Sequence, residues 1–303
     1  MDQPVAREPT IVLEHVYKRY RTGGGVSDLS LSVGPGEVFG FLGPNGAGKT
    51  TVIRLLLDLI RPNAGRIAVF GLDSRLASLQ IRHRLGYLPG ELSLYERFTA
   101  RGILTHFAHL RGGPPWPAIA SLAEQMDLEL DRPLRTMSKG NRQKVGLVAA
   151  FMGDPQLLLL DEPTSGLDPL VQQQVHQEVM RAATEGRTVF LSSHVLSEVG
   201  EVADRVGLIR DGRLVAVERV AELQHRALHQ VDATFTSAAE ARGFETLPGV
   251  SNFKSTGADL HLEVAGSLRP VVERLAQTDL IDLSIREPTL EELFLAFYEQ
   301  DNG

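Results

Sequence analysis

The chain has 303 residues, a formal net charge of −7, 43% hydrophobic residues and no cysteine. This length predicts about two domains, and the composition excludes a disordered or fibrous chain. The lack of cysteine excludes disulfides, thiolate metal sites and cysteine nucleophiles, while the negative charge gives no bulk attraction to nucleic acid. No apolar run approaches the roughly 18 residues of a membrane-spanning helix, and the amino-terminal residues suggest no secretion signal.

The first part of the chain predicts strands, a glycine-rich loop and a helix. Residues 10–20 and 26–33 alternate apolar and polar positions, as half-buried strands do. Residues 37–42 form an apolar strand, residues 51–60 have apolar positions at helical spacing, and residues 66–70 are predicted as the next strand. This pattern indicates an antiparallel piece followed by a strand–loop–helix unit.

The middle of the chain predicts a helical block and then alternating strands and helices. The helical block extends over about residues 92–152, and apolar strands are predicted over residues 157–160 and 188–192. Helical spacing follows each of these strands, over residues 169–185 and 196–203. Buried strands that alternate with helices indicate an α/β domain with a mainly parallel sheet.

The glycine-rich loop matches the phosphate-loop pattern G-x-x-x-x-G-K-[ST] and lies between an apolar strand and a helix. Glycines let successive backbone N–H groups face one anion, and the helix N-terminus adds partial positive charge. Lys49 is predicted to reach the β- and γ-phosphates of a nucleotide, and Thr50 to ligate Mg²⁺. The predicted nucleotide-binding residues here are Gly43, Pro44, Asn45, Gly46, Ala47, Gly48, Lys49, Thr50 and Thr51.

Two carboxylates, Asp161 and Glu162, follow the apolar strand at residues 157–160. A buried strand that ends in two acids downstream of a phosphate loop resembles the second acidic element of P-loop nucleotidases. Asp161 is therefore predicted to hold Mg²⁺, and Glu162 to orient or deprotonate the attacking water.

Over about residues 10–222 the chain resembles the ATP-binding-cassette (ABC) ATPases, because further motifs follow in that family's order. Residues 137–141, Met-Ser-Lys-Gly-Asn, resemble the family signature, residues 165–168 resemble its D-loop, and His194 matches its switch histidine. The resemblance implies catalysis by Lys49, Glu162 and His194, with ATP and Mg²⁺ as the ligands.

The resemblance also implies a dimer in which two ATP molecules lie head to tail between subunits. Ser138, Gly140 and Asp168 of one subunit would then contact the ATP that is bound to the phosphate loop of the other. Tyr20 is predicted to stack on adenine, with Tyr17, or a role in core packing, as the alternatives.

One position departs from the family pattern. The family usually has glutamine at the end of a strand between the phosphate loop and the signature, and this chain has Gly90 there. Glycine has no ligating side chain, so Glu91 could replace the glutamine, or the loop could act only mechanically.

After about residue 224 the order strand–helix–strand–strand–helix–strand predicts a small ferredoxin-like α+β domain. A helix from residue 238 is the first of its two helices, and a capped helix is predicted over residues 289–298. This tail resembles the carboxyl-terminal extension of daunorubicin-type exporter ATPases. A dimer-stabilising role and regulation of the ATPase both remain open for it.

The expected fold is thus an α/β P-loop NTPase core of the ABC type over residues 1–224, with an antiparallel β subdomain and a helical subdomain. Residues 225–303 form the accessory domain. The expected function is that of a bacterial exporter ATPase for a drug, antibiotic or lipid-like substrate. It would lie on the cytoplasmic face of the membrane with a separate permease and a second ATPase subunit, as a homodimer, and would bind no nucleic acid. The alternatives are an ATPase that acts on ribosomes or DNA, an importer ATPase and a regulator without turnover.

Overall fold

The computed structural model describes residues 8–113, 115–225, 228–238 and 240–286. The chain divides into two compact units, Met1–Glu218 and Arg219–Gly303. This division lies slightly before the boundary that the sequence predicted at residue 224. Within the described ranges, no helix is both long enough and apolar enough to cross a membrane.

The first unit alternates strands and helices. In chain order its strands are β1 (Ile11–Arg19), β2 (Gly25–Val33), β3 (Val38–Leu42), β4 (Ala64–Val69), β5 (Leu72–Asp73), β6 (Leu85–Leu88), β7 (Leu157–Asp161), β8 (Thr188–Ser193), β9 (Arg205–Arg210) and β10 (Arg213–Arg219). Its helices are α1 (Lys49–Leu56), α2 (Ser78–His83), α3 (Ala100–Leu110), α4 (Trp116–Gln125), α5 (Lys139–Phe151), α6 (Pro169–Thr184) and α7 (Leu196–Gly200), with a 3₁₀ turn at Leu134–Thr136.

The central sheet has the strand order β10-β9-β3-β8-β7-β6, and its neighbouring strands from β9 to β6 are parallel. Every residue of β3, β7 and β8 is buried, as expected for parallel strands that are covered on both faces. The register places Leu42 opposite Ser193 and Asp161 opposite Ser192. The carboxyl ends of these three strands therefore meet at one edge of the sheet.

A second, antiparallel sheet has the order β2-β1-β4-β5. Its strand β1 is buried mainly on one face, so that Ile11, Leu13 and Val16 are buried while Glu14 is exposed. These residues share one hydrophobic cluster with α1 and the central sheet. The shared cluster fixes α1 between the two sheets, which sets the direction of its amino terminus.

The helical subdomain contains α3, α4 and α5, but residues 92–99, which the sequence included in it, are not helical. Their backbone pairs with the segment before α5 instead: Leu134 N donates to Phe98 O at 2.9 Å and Arg135 N to Glu96 O at 3.1 Å. Thr99 then caps α3 by accepting a hydrogen bond from Gly102 N at 3.1 Å. These distant backbone partners explain why helical spacing alone placed the helix too early.

The second unit contains strands β11 (Leu228–Phe235), β12 (Val250–Thr256), β13 (Asp259–Ala265) and β14 (Leu280–Arg286), with helices α8 (Val220–His225) and α9 (Arg269–Leu275). Its sheet has the order β12-β13-β11-β14, and every pair of neighbours is antiparallel. The unit has a hydrophobic cluster of its own, which includes Phe235 and Phe244.

The helix predicted from residue 238 is wrong, because the described residues between β11 and β12 form turns. Gly243 has a φ of +88° in this segment, which breaks a right-handed helix. Ala241 and Phe244 on either side of it are fully buried, so the irregular chain still fills the core. The helix predicted over residues 289–298 lies outside the described residues.

Candidate nucleotide-binding site

The phosphate loop connects the end of β3 to the start of α1. Gly48 caps α1 with a φ of +114°, a conformation that L side chains rarely adopt. At Gly43, a Cβ would lie 2.3 Å from the backbone oxygen of Ile209. The backbone path of the loop therefore requires glycine at both positions. The same path places the amino terminus of α1 next to the carboxyl end of β3.

Lys49 lies buried under the loop that it follows, with 6% of its surface exposed. Its Nζ donates to Gly43 O at 2.6 Å and to Pro44 O at 3.3 Å, and lies 3.2 Å from Glu162 Oε1. The positive charge is thus held in place by the loop carbonyls and by one carboxylate.

Thr50 and Asp161 meet between α1 and β7. Thr50 Oγ1 donates to Asp161 Oδ2 at 2.8 Å, and Ser192 Oγ donates to Asp161 Oδ1 at 2.5 Å. Asp161 itself is almost completely buried. Both of its oxygens are therefore oriented by hydroxyl groups from neighbouring elements.

Glu162 has a φ of +51°, which is uncommon for a residue other than glycine and costs on the order of 1 kcal/mol. Its backbone N–H donates to Ser192 O at 3.1 Å, which holds this conformation. Its side chain lies between two basic groups, since Oε1 faces Lys49 Nζ and Oε2 lies 2.6 Å from His194 Nδ1. The predicted catalytic residues Lys49, Glu162 and His194 thus form one continuous chain of contacts.

Gly90 lies beside this group. A Cβ at Gly90 would come 3.3 Å from Asp161 Oδ2, whereas Glu91 is exposed. Tyr87, at the end of the same strand, has a raised pKa because of burial and, secondarily, the negative charge of Asp161. The loop that carries the departure from the family pattern is therefore close enough to the predicted metal ligand for an added side chain to touch it.

The two candidate aromatic residues have different neighbours near the phosphate loop. The Tyr20 hydroxyl is 3.5 Å from Thr51 Oγ1, and Lys18 Nζ lies 5.7 Å from the centre of the Tyr20 ring. Tyr17 lines a cleft of about 780 Å³ together with Gly46, Asn63 and Gly212. Each tyrosine is thus placed near the phosphate loop.

The signature and the D-loop lie next to each other. Ser138 caps α5 by accepting from Asn141 N at 3.2 Å, and Asp168 caps α6 by accepting from Val171 N at 3.1 Å. A Cβ at Gly140 would lie 3.5 Å from Leu167 Cδ2. In the described part of the chain, the side chains of Ser138 and Asp168 make these cap hydrogen bonds and none to their own phosphate loop.

Ser192 is a site residue that the sequence analysis did not identify. Its hydroxyl donates to Asp161 and lies 3.2 Å from Glu162 N, so it touches both acidic residues. A serine at the carboxyl end of an apolar strand, just before the predicted switch histidine, was the available signal.

Comparison with known proteins shows which family the chain resembles. Residues 26–165 match the ABC transporter family. The daunorubicin resistance ATP-binding protein DrrA3 of Streptomyces coeruleorubidus is 32% identical over 306 residues, which cover 95% of this chain and 95% of that protein. The bacitracin transport ATP-binding protein BcrA of Bacillus licheniformis is 38% identical over 201 residues, covering 65% and 66% of the two chains. The fold resembles that of the dimeric bacterial ABC transporter cassette MJ0796, with a TM-score of 0.64 and 21% identity over 69% of this chain and 98% of that one.

A phosphate loop, two acids at the end of β7 and a histidine after β8 place the chain among the P-loop nucleoside triphosphatases. The similarity to DrrA3 along nearly the whole chain identifies the family within this class. The chain belongs to the ATP-binding proteins of ABC transporters, and it is an ABC ATPase, the ATP-binding subunit of such a transporter. The predicted family is confirmed, and the relatives do not favour an importer or an ATPase that acts on ribosomes or DNA.

Proposed function

We propose that the phosphate loop binds the ATP phosphates and that Glu162 and His194 carry the hydrolysis to ADP and phosphate. The contact chain from Lys49 through Glu162 to His194 is the observation that supports these roles. A γ-phosphate beside Lys49 would replace Glu162 as the partner of the ammonium group. Glu162 is then free to orient or deprotonate the attacking water, while His194 donates to the γ-phosphate.

Thr50 of α1 and Asp161 at the end of β7 provide the oxygen ligands that Mg²⁺ requires. The ion prefers oxygen ligands and is usually held by one or two protein groups together with substrate phosphates and water. Thr50 Oγ1 and Asp161 Oδ2, 2.8 Å apart, are such a pair, and Ser192 orients the other carboxylate oxygen. When bound, Mg²⁺ neutralises charge on the phosphates.

Tyr20 is the residue to which we assign adenine stacking, because its hydroxyl lies near Thr51, directly after the predicted phosphate ligands. Tyr17 remains the alternative, since it lines the cleft beside Gly46. An alanine substitution at the stacking residue should raise the KM for ATP, and the same substitution at the other tyrosine should not.

ATP would be shared between two copies of this chain. Ser138, Gly140 and Asp168 lie around the adjoining ends of α5 and α6, and a helix N-terminus capped by serine is a suitable place for an anion. In the shared site they would face the γ-phosphate that is bound to the partner's phosphate loop. The dimer of MJ0796, which shares the fold, is consistent with this arrangement.

The transported substrate class follows from the relatives. Two of them act in daunorubicin resistance and bacitracin transport, which supports export of a drug, antibiotic or lipid-like molecule. The export path would be a separate integral membrane permease, with this chain bound peripherally at the cytoplasmic face. Neither the site nor the relatives indicate nucleic acid as a partner.

The second unit is proposed to be a ferredoxin-like domain in which turns replace the first helix. Its strand order and antiparallel pairing support this assignment. Stabilisation of the ATPase dimer is the role we favour for it.

Nucleotide binding tests the phosphate-loop assignment. The variant Lys49→Ala should lose measurable Mg²⁺-ATP binding in calorimetry, because no other basic side chain is held under the loop carbonyls among the described contacts. Lys254→Ala, on β12 of the second unit, is the control and should bind as the unmodified chain does. Equal ATP affinity in both variants would refute the assignment.

Dimer formation tests the shared site. The variant Glu162→Gln should accumulate as an ATP-bound dimer in light scattering, since the site is complete except for the group that activates water. Replacing ATP with ADP should return the variant to monomer. A monomer at saturating Mg²⁺-ATP would contradict the proposal.

Purification from membranes of the native host tests the transport role. The tagged chain should retain a stoichiometric multi-span membrane protein after mild solubilisation. Recovery of ribosomal or DNA-repair proteins without a membrane protein would contradict the role in export and leave the ATP site unaffected.

A further inference from the structure

Glu198 connects three segments, each of which follows a proposed site residue in the chain: α7, the loop that contains Thr164, and α6. It lies in α7, the helix that follows His194, and is half-buried. Thr164 Oγ1 donates to Glu198 Oε2 at 2.5 Å, and Gln172 Nε2 donates to Glu198 Oε1 at 3.3 Å. Each carboxylate oxygen therefore has its own donor from a different element.

The two donors belong to segments with defined places in the site. Thr164, which is buried, lies in the loop that leads from Glu162 to the D-loop. Gln172 lies in α6, whose capping residue is Asp168. Gln172 Nε2 also lies 3.5 Å from the backbone oxygen of Thr164, so the three residues form a closed network.

The helix that carries Glu198 is firmly attached to the sheet. Val199 is almost fully buried, and it packs so closely on β3 that a Cβ at Gly40 would lie 2.1 Å from Val199 Cγ1. Ser193 Oγ accepts from Val195 N at 3.0 Å, which fixes the turn that contains His194. A group held on α7 therefore has a fixed position relative to His194.

We propose that Glu198 is a positioning residue that holds Glu162 and His194 in the geometry for hydrolysis and couples them to the D-loop. This inference rests on the proposed roles of those two residues. ATP binding uses the phosphate loop, to which Glu198 has no hydrogen bond among those described. Loss of the carboxylate should consequently lower kcat and leave the KM for ATP unchanged, because small displacements of reacting groups reduce rates strongly.

The test is a donor–acceptor exchange in the full-length chain, with steady-state ATPase kinetics as the readout. Glu198→Gln replaces one of the two acceptor oxygens by an NH₂ group, so that Thr164 and Gln172 share a single oxygen. The variant should reduce kcat by about tenfold or more, with KM within about twofold. The double variant Glu198→Gln/Gln172→Glu exchanges the donor and acceptor between α6 and α7 and should restore most of kcat. If Glu198 only stabilised the fold, the double variant would not restore kcat while KM stayed constant in both variants.

Glu201→Gln is the matched control on the same helix pair. Glu201 Oε2 lies 2.9 Å from His176 Nδ1 of α6, and neither residue has a hydrogen bond to Thr164 among the described contacts. The control should keep the unmodified kcat.

If Glu198→Gln does not fold, Thr164→Val and Thr164→Ser replace it. Valine removes the hydroxyl at nearly constant volume and should lower kcat, whereas serine retains the donor and should not. If the unmodified chain hydrolyses ATP and kcat is unchanged in Glu198→Gln or Thr164→Val, the positioning role of Glu198 is wrong. The proposed roles of Glu162 and His194 would not be affected by this result. Unmodified hydrolysis by Glu162→Gln would instead show that the proposed roles on which it rests are wrong.

Discussion

At the scale of single residues, the site is a set of charged and hydroxyl groups that contact one another. Lys49 is neutralised by Glu162 at 3.2 Å, and Glu162 is also bound by His194 at 2.6 Å. Asp161 is held by two hydroxyl groups. Each of these side chains is thus oriented by its neighbours, which is the arrangement that electrostatic catalysis requires.

Gly90 gives a prediction at this scale. Gly90→Val should lower kcat about tenfold, because a branched side chain that begins 3.3 Å from Asp161 Oδ2 must displace the carboxylate. Steady-state ATPase rates measure the effect, and Glu91→Ala, at the exposed neighbour, should leave the rate unchanged. An unaffected rate in Gly90→Val would show that this loop does not influence the reaction.

At the scale of elements, the site depends on where strands end. Parallel pairing brings the ends of β3, β7 and β8 to one edge, so that Leu42, Asp161 and the residues of the Ser192 segment are aligned there. Ligands in open α/β sheets bind at the carboxyl ends of the strands for this reason. The helices contribute their capped amino termini, at Ser138 and Asp168.

Close packing of β6 against α5 gives a prediction at the element scale. A Cβ at Gly86 would lie 2.0 Å from the backbone oxygen of Ala150. Gly86→Ala should therefore reduce the free energy of unfolding by about 1–3 kcal/mol in urea titrations, as overpacking does.

The matched control is Gly102→Ala in α3. Its added methyl group would meet nothing closer than 3.4 Å, and alanine favours the helix. This variant should be unchanged or more stable by up to about 1 kcal/mol. Equal destabilisation of both variants would contradict the packing argument.

At the scale of the whole molecule, the chain consists of two units that have separate hydrophobic clusters. All the residues to which we assign ATP contacts belong to the first unit. The second unit contributes a sheet whose buried side chains, including Phe235 and Phe244, contact one another. A change in the stability of the second unit should therefore leave the ATP affinity of the first unit unchanged.

Phe244→Ala tests this separation. The ring is fully buried, so its loss should destabilise the second unit by about 3–5 kcal/mol, seen as earlier proteolysis of residues 219–303. The affinity of the single chain for ATP, measured at concentrations at which it is monomeric, should stay unchanged. Phe190→Ala is the counterpart in the first unit, where the ring packs against Phe39 and Phe41 of β3, and it should lower both stability and affinity. Equal loss of affinity in the two variants would show that the units are coupled.

The sequence by itself determined the elements and residues that depend on local pattern. The phosphate loop, the two acids at the end of β7 and the signature at residues 137–141 each follow from a few adjacent residues. Continuous apolar runs predicted the buried parallel strands, because strands covered on both faces have no polar side. These local signals, with the order of the motifs, were also sufficient for the family.

Tertiary structure decided the features that depend on residues far apart in the chain. Ser192 became part of the site through the register of β7 and β8. The proximity of Gly90 to Asp161 and the network around Glu198 likewise join residues that are distant in the sequence. Residues 92–99 and the segment after β11 are irregular, although the sequence predicted helices there. Distant backbone partners in the first case, and a left-handed glycine with buried neighbours in the second, outweighed helical spacing because intrinsic helix propensity is weak compared with tertiary contacts.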